Sequence, residues 1–302
     1  MKKDLLKLLD LSQEDILEIL NLADQMKYEL KNGIKHKVLK GKTLAMIFSK
    51  SSTRTRVSFE TGMYQLGGQA LFLSHNDLQI GRGEPVEDTA RVLSRYVDGI
   101  MIRTFAQEEV ETLASRASIP VINGLTDFAH PCQILADLMT VREYHSALEG
   151  VKVAWIGDGN NVCNSLIVGA LKCGMKMSVA TPKGYEPHAD ILAFAKEYPE
   201  FSLVNDPAEA AETADVLVTD VWASMGQEDE AQKRIRDFAG FQINEKIMSI
   251  AHEKAIVLHC LPAHRDEEIS AGVFEKYADP IFDEAENRLH AQKAVMALLM
   301  GK

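Results

Sequence analysis

The chain has 302 residues, enough for two domains with sizeable hydrophobic cores. Its 33 basic and 44 acidic residues give a net charge of −11, which argues against nucleic acid as a partner. No apolar run is long enough to cross a membrane, and charged residues interrupt the opening segment, unlike in a signal peptide. The four cysteines lack the paired spacing of a zinc ribbon or disulfide scaffold, so we expect a reduced, cytoplasmic protein.

The first predicted element is a helix that begins after Ser12, because Ser12 and Asp15 fit a capping box and apolar residues recur at helical spacing from Ile16 to Leu30. Helical patterns then alternate with short apolar runs that are typical of buried strands. The predicted strands are 43–48, 69–73, 99–103 and 119–123, followed by 151–156, 176–180, 215–219 and 256–258. This alternation predicts an α/β protein with two domains, each a parallel sheet flanked by helices.

The predicted boundary lies near residues 146–150, which separates a first domain, 1–147, from a second domain, 148–302. The closing pattern at 283–300 predicts an amphipathic helix, and we expect its part from about 284 to 300 to pack back on the first domain.

Hydroxyl and cationic side chains crowd the segment S-S-T-R-T-R (51–56), directly after the predicted strand 43–48. Ligands of open α/β sheets bind beyond the carboxyl ends of strands, and a helix that starts there offers free N–H groups to an anion. Ser52, Thr53, Arg54 and Thr55 therefore suit a small phosphate. The alternative is a Ser/Thr-capped helix with solvated arginines.

Other chemically capable residues stand at equivalent strand ends. Arg103 closes one strand, H-P-C-Q (130–133) follows another, and D-V-W-A-S-M-G (220–226) and H-C-L-P-A-H-R (259–265) follow two more. A lone histidine such as His130 is more often structural, and a lone cysteine such as Cys260 is more often buried and inert. Their shared position at one end of parallel strands favours a functional interpretation.

The segment W-I-G-D-G-N-N-V-C-N-S (155–165) resembles a dinucleotide fingerprint, yet Val162 occupies the third glycine position. The next strand ends in Thr181 and Pro182, without the acidic residue that would bind a ribose. A nicotinamide dehydrogenase is therefore disfavoured. Asn160, Asn161 and Asn164 at the start of a helix suit a carboxylate or amide of a small substrate instead.

Four motifs together resemble the carbamoyltransferase family over essentially the whole chain. S-T-R-T-R (52–56) and H-P-C-Q (130–133) resemble the elements that bind carbamoyl phosphate throughout the family. D-V-W-A-S-M-G (220–226) and H-C-L-P (259–262) resemble the more specific marks of its ornithine-using members. The resemblance implies two domains with the active site between them, and no cofactor or metal.

The resemblance also implies the site residues for the donor, carbamoyl phosphate. They are Ser52, Thr53, Arg54, Thr55, Gln79, Arg103, His130, Pro131, Cys132, Gln133, Cys260, Leu261 and Arg288. Gln79 corresponds to a position that enters the site of a neighbouring subunit, which implies a homotrimer or a higher assembly of trimers. Arg56 falls just inside the helix, where we favour a structural role.

For the acceptor, L-ornithine, the resemblance assigns its carboxylate to Asn161, its α-ammonium to Asp220, and a closing loop to Ser224 and Met225. Arg103, His130, Asp220 and Cys260 are the implied catalytic residues. The implied reaction yields citrulline and phosphate and belongs to arginine metabolism, in the biosynthetic or the catabolic direction. The acceptor's cationic character agrees independently with the carboxylate of Asp220.

Alternatives remain open at this stage. A related enzyme could use putrescine, although a diamine has no α-amino acid group for Asn161 and Asp220 to hold. An aspartate-using relative is disfavoured, since the loop that carries Gln79 holds Arg82 and no lysine. A non-catalytic regulatory homologue is a further alternative. A zinc site at His259, Cys260 and His264 matches no familiar ligand spacing.

Overall fold

The computed structural model describes residues 3–223 and 230–301. Their Cα positions cluster into two compact units. The first unit comprises Met1–Met139 and Asn287–Lys302, and the second comprises Thr140–Glu286. The chain thus leaves the first unit within one helix and returns to it within another. No helix in the described ranges is long and apolar enough to cross a membrane.

The first unit contains a four-stranded parallel sheet in the order β2-β1-β3-β4. Its strands are β1 (Thr43–Phe48), β2 (Gln69–Ser74), β3 (Gly99–Arg103) and β4 (Val121–Leu125). Its helices are α1 (Gln13–Lys31), α2 (Thr53–Gln65), α3 (Val86–Leu93), α4 (Gln107–Arg116), the first part of α5 (Pro131–His145) and the second part of α12 (Ala278–Met300). Strand β3 is buried along its whole length, as expected when helices cover both faces of a parallel sheet.

The second unit contains a five-stranded parallel sheet in the order β7-β6-β5-β8-β9. Its strands are β5 (Lys152–Ile156), β6 (Lys176–Ala180), β7 (Phe201–Val204), β8 (Val216–Thr219) and β9 (Ile256–His259). The helices that lie wholly in it are α6 (Asn161–Lys172), α7 (Ala189–Ala195), α8 (Pro207–Ala211), α9 (Ala231–Asp237), α10 (Glu245–Met248) and α11 (Ala271–Lys276). Its core includes Trp155, which is fully buried.

The predicted α/β class with two parallel sheets is confirmed, and so is the capping box of Ser12 and Asp15, which begins α1. Strand β4 begins two residues later than predicted, at Val121, because Pro120 precedes it and cannot donate to the ladder. Strand β7 was not predicted, since its four residues lie at the sheet edge and are partly exposed, which leaves a weak hydrophobic signal.

Helix α12 is anchored in the first unit by buried polar contacts as well as by apolar ones. Lys27 Nζ donates to Asn287 Oδ1 at 2.8 Å. Lys293 is fully buried, and its Nζ lies 2.9 Å from His36 Nε2 and 3.0 Å from Gln65 Oε1. Burial lowers the pKa of Lys293 to about 8. These contacts fix the register of the helix, which carries Arg288.

Candidate active site

In the first sheet the chain order reverses at β1 and β3, the place where open α/β sheets bind ligands. Ser52 caps α2 just beyond β1, and its Oγ accepts the Thr55 backbone N–H at 3.2 Å. Thr55 is fully buried, whereas Arg54 is half-buried and Thr53 is exposed. The predicted helix N-terminus with its hydroxyl groups is therefore present.

Arg103 ends β3 at a local irregularity of the sheet. The pairing register with β4 shifts between Ile102 and Arg103, so that Gly124 has no partner in the ladder. A Cβ on Gly124 would lie 2.6 Å from the sulfur of Met101, which explains why glycine occupies that position. Such a bulge redirects the side chain beside it. The Arg103 carbonyl also accepts the Ser49 N–H at 2.9 Å, which joins the ends of β1 and β3.

The segment H-P-C-Q forms the start of α5, whose first residue is Pro131. Proline suits this position because its missing N–H would have no partner there. Cys132 is fully buried, and its thiol donates to the Asn123 carbonyl at 3.4 Å. Burial raises the pKa of Cys132 to about 12, so this thiol is neutral and is committed to the core.

A hydrogen-bonded network joins α5, α12 and α2. Gln133 Nε2 donates to Asp137 Oδ1 at 2.8 Å, and Gln133 Oε1 accepts from Arg288 Nη1 at 2.7 Å. Arg288 Nη2 also donates to Thr55 Oγ1 at 3.3 Å. Because Asp137 fixes the orientation of the Gln133 amide, the guanidinium of Arg288 is held in one position. Gln133 and Arg288 are 1% and 4% exposed.

His130 lies within the electrostatic reach of three arginines. Burial lowers the pKa of His130 well below its usual range, and the charges of Arg288, Arg103 and Arg54 lower it further. The imidazole is therefore neutral at physiological pH, while the three guanidinium groups provide the local positive charge. We call Arg54, Arg103, His130 and Arg288 the cationic cluster. Such a group is suited to a small dianion.

In the second sheet the chain order reverses at β5 and β8. Asn160 follows β5 and caps α6, because its Oδ1 accepts the N–H groups of Val162 and Cys163 at 3.0 and 3.1 Å. Its Nδ2 donates to Asp220 Oδ2, just beyond β8, at 2.8 Å. Asn160 thus caps the start of α6 and also orients a carboxylate that lies just beyond the neighbouring strand.

Asp220 is only 7% exposed, and its second oxygen is also bound. Oδ1 accepts the Val221 N–H at 2.8 Å and the Cys260 thiol at 3.1 Å. We call Asn160, Asp220 and Cys260 the Asp220 network. It presents one carboxylate in a defined orientation, which suits the recognition of an ammonium group.

His259 shapes the H-C-L-P turn that holds Cys260. Its Nδ1 accepts the Leu261 N–H at 2.9 Å, so Nε2 carries the proton and donates to Glu268 Oε1, also at 2.9 Å. The His259 backbone N–H donates to Glu284 Oε2 at 2.7 Å. Leu261 has φ +59°, a conformation that branched side chains rarely adopt, and these contacts hold the turn in that form.

Protein-family models match both parts of the chain. Residues 3–143 match the carbamoyl-P binding domain of aspartate/ornithine carbamoyltransferases, and residues 149–299 match the Asp/Orn binding domain. The chain belongs to the aspartate/ornithine carbamoyltransferase family. The cationic cluster lies in the match to the first domain, apart from Arg288 on α12, and the Asp220 network lies in the match to the second.

Relatives within the family are similar over their full length. An ornithine carbamoyltransferase from Syntrophotalea carbinolica is 59% identical over 302 residues, which is 100% of both chains. One from Carboxydothermus hydrogenoformans is 57% identical over 99% of this chain and 98% of its own. The solved structure of ornithine carbamoyltransferase from Pyrococcus furiosus is 52% identical, with a TM-score of 0.94, and covers 99% of this chain and 97% of its own.

The remaining predicted residues occupy different environments. Gln79 follows β2 and is exposed, and its carbonyl accepts the N–H groups of Arg82 and Glu84 at 2.8 and 3.0 Å. Asn161 is the first residue of α6 and is half-buried. Ser224 and Met225 lie outside the described residues. Cys260 and Leu261, which were assigned to the donor, belong to the second unit, where Cys260 contacts Asp220.

The sequence alone suggested no contact for the glycines of G-D-G-N-N, whereas the structure shows one for Gly159. A Cβ on Gly159 would lie 2.3 Å from the Pro187 nitrogen, and the Gly159 N–H donates to the Tyr185 carbonyl at 2.9 Å. The space beside this glycine is thus filled by the protein's own backbone. This contact gives a packing reason for the glycine that made the segment resemble a dinucleotide fingerprint.

Two groups of possible metal ligands occur in the described part of the chain. One comprises Asp220, His259 and Cys260, and the other comprises His264, Glu267 and Glu268. His264 therefore does not join His259 and Cys260 as the considered zinc site would require. In the first group both ring nitrogens of His259 are already engaged, and a metal would have to displace one of those bonds.

Proposed function

We propose that the chain transfers the carbamoyl group of carbamoyl phosphate to the δ-amine of L-ornithine, giving L-citrulline and phosphate. The observation that carries this proposal is the opposite charge of two preformed groups of side chains. The cationic cluster suits the dianionic donor, and the carboxylate of the Asp220 network suits an acceptor that carries an ammonium group. The high identity to ornithine carbamoyltransferases over the full chain supports the same pair of substrates.

In the donor part, the phosphate would lie at the N-terminus of α2. Ser52, Thr53 and Thr55 would offer hydroxyl and backbone N–H donors, and Arg54 and Arg288 would neutralise the charge. The orientation of Arg288 by Gln133 and Thr55 supports this role, since a guanidinium that is already fixed loses little entropy on binding.

The carbamoyl group would be bound by the neighbouring residues. Arg103 and neutral His130 would contact its carbonyl oxygen, and Gln133 and the backbone of Pro131 and Cys132 would complete its surroundings. A histidine that stays neutral can donate one hydrogen bond without adding another charge to the three arginines.

The acceptor part would fix the α-amino acid group of ornithine. Asp220 would accept the α-ammonium, and Asn161 would donate to the carboxylate from the start of α6. Ser224 and Met225 would complete the site, as the resemblance implies. The bound state of Asp220 supports its role, because Asn160 and the Val221 N–H hold its carboxylate in place before the substrate arrives.

The reaction then proceeds by attack of the neutral δ-amine on the carbonyl carbon. An amine with a pKa near 10.4 is neutral in about 1 of 2,500 molecules at pH 7, so the site must select that form. Cys260 and Asp220 would orient the amine and take the proton that its ammonium form must lose before the attack. The new C–N bond forms, negative charge develops on the carbonyl oxygen near Arg103, His130 and Thr55, and the C–O bond to phosphate breaks. The departing phosphate can accept the final proton.

The proposal includes a homotrimer in which Gln79 serves the donor site of a neighbouring subunit. Strand β2 lies at the edge of its sheet, and Phe72 and Leu71 on it are 38% and 37% exposed. Val57 on the adjacent α2 is 54% exposed. Unpaired edge strands with apolar side chains favour association, and the exposed position of Gln79 just after this strand supports its contribution to another chain.

The direct test is a citrulline assay with purified protein, carbamoyl phosphate and each of three acceptors: L-ornithine, putrescine and L-aspartate. We expect turnover with ornithine and a kcat/KM for ornithine at least about 100-fold higher than for the other two, the size of effect that an unpaired Asp220 or Asn161 would produce. Preferred use of putrescine would favour the diamine alternative. No carbamoylation of any acceptor by folded protein would favour a non-catalytic homologue.

A further inference from the structure

Arg234 is a buried arginine of α9, and it was not among the predicted site residues. It is 6% exposed, and its Nη1 donates to two acceptors at once, Asp158 Oδ2 at 2.8 Å and the Trp222 carbonyl at 2.8 Å. Its guanidinium lies 5.1 Å from the ring centroid of Tyr185, and its Nε lies 3.3 Å from Glu230 Oε2. One side chain thus connects two loops that come from different strands.

Those two loops carry Asn160 and Asp220 of the Asp220 network. Asp158 precedes Asn160 by two residues, and Trp222 follows Asp220 by two residues. The loops are joined once by Asn160 and Asp220, at 2.8 Å, and a second time by Arg234. The two loops are therefore connected at two points, which restricts the distance between them more than a single bond would.

The positive charge of Arg234 also offsets the negative charge of Asp158. The Asp158 side chain is 10% exposed, and burial raises its pKa to about 6 although the charge and hydrogen bond of Arg234 lower it. The charge of Asp220 acts in the raising direction. Without Arg234 the pKa of Asp158 would rise further, so at neutral pH the carboxyl would be protonated and this link between the two loops would be lost.

We propose that Arg234 is a positioning residue for the amino acid acceptor. It holds the two loops so that Asp220 and Asn161 match the α-ammonium and carboxylate of the substrate, and its charge keeps Asp158 in the ionised form that accepts its hydrogen bond. The inference rests on the proposed function, because the acceptor is taken to be an α-amino acid.

The test compares Arg234→Met with Arg236→Met, an identical substitution at an exposed position of the same helix. We expect Arg234→Met to raise the KM for ornithine by about tenfold or more, equivalent to about 1.4 kcal/mol, with a smaller change in kcat and an unchanged KM for carbamoyl phosphate. Arg236→Met should match the wild type. If Arg234→Met also leaves the ornithine KM at the wild-type value, the proposal is wrong.

A second variant tests whether Arg234 acts through its bond to Asp158. Asp158→Asn alone should raise the ornithine KM in the same selective way, whereas adding it to Arg234→Met should change the KM little further, because both substitutions remove one interaction. Additive effects of the two substitutions on the ornithine KM would show that Arg234 does not act through Asp158 and would overturn the argument. Should Arg234→Met fail to fold, Arg234→Lys keeps the charge but cannot reach both acceptors, and it should show the same selective rise in the ornithine KM.

The two proposals can fail separately. If the wild type makes no citrulline, the proposed function is wrong whatever Arg234 does. If the wild type makes citrulline and Arg234→Met raises the KM values of both substrates equally, Arg234 supports the fold in general and is not specific to the acceptor.

Discussion

Arg288 on α12 donates to the side-chain oxygen of Gln133 on α5, 155 residues away in sequence, at 2.7 Å. The same guanidinium donates to Thr55 at 3.3 Å, so one residue connects the starts of two helices in the first unit. A planar guanidinium can make both bonds at once, whereas a lysine ammonium at the same position cannot reproduce their geometry. A lysine substitution of Arg288 therefore tests whether the site requires only a positive charge or also the planar shape of the guanidinium.

We expect Arg288→Lys to raise the KM for carbamoyl phosphate by about tenfold or more while it keeps the positive charge. Arg91→Lys, at an exposed position of the same unit, is the matched control. Steady-state kinetics with saturating ornithine would measure both variants. Equal KM values for the two would show that Arg288 contributes only its charge.

Arg54→Ala should lower kcat/KM for carbamoyl phosphate by about 100- to 1,000-fold, because the half-buried guanidinium would bind the phosphate and its loss leaves that charge unbalanced. The far-ultraviolet circular dichroism spectrum should stay unchanged. Arg116→Ala, at the exposed end of α4, is the control and should retain full activity. Near-normal citrulline formation by Arg54→Ala would contradict the phosphate assignment of this segment.

The shared site predicts complementation between two inactive variants. If Gln79 of one chain serves the donor site of the next, Arg54→Ala and Gln79→Ala should each be nearly inactive as pure proteins. Unfolded together in equal amounts and reassembled, they should regain about a quarter of native sites, since each site needs one particular chain at two positions. Activity equal to the average of the parents, in mixed trimers verified by mass, would assign Gln79 to its own subunit.

Lys293 predicts an unusual dependence of stability on pH. Its pKa in the folded protein is about 8, below the ordinary value of 10.5, so the unfolded chain holds more protons between these values. The free energy of unfolding should therefore rise with pH across this window, by up to about 3 kcal/mol from this group. Below pH 8 the penalty for keeping the buried lysine charged is fully present.

The measurement is the shift of the urea midpoint between about pH 7.5 and pH 9.5. Lys293→Met should shift less toward stability than the wild type does over this interval, whereas Lys31→Met, at the exposed end of α1, should behave like the wild type. An identical pH dependence in Lys293→Met and the wild type would show that Lys293 titrates normally in the folded chain.

Local features of this protein could be predicted from the sequence because neighbouring residues determine them. The capping box of Ser12 and Asp15 and the helix start within residues 51–56 depend on a few adjacent positions, and both occur as predicted. The weak edge strand β7 was missed for the same reason, since its four residues carry little pattern.

Contacts between distant segments were not predictable in this way. The bond from Arg234 to Asp158 joins residues 76 positions apart, and nothing in the sequence around either residue indicates the other. Asn160 was seen as part of a helix start, yet its bond to Asp220 depends on the order of β5 and β8 in the sheet. Only the tertiary structure shows which polar groups of separate loops satisfy one another.

The division of α12 has a consequence for synthesis on the ribosome. The first unit needs Asn287–Lys302 to be complete, and Met300 is 3% exposed beside Gly99 at the start of β3. The second unit is a single continuous stretch of chain. Although domains usually fold in the order in which they are made, the unit that emerges first here cannot close its core until residues 287–302 have been synthesised. Nascent chains arrested before residue 287 should therefore remain sensitive to protease in their N-terminal half.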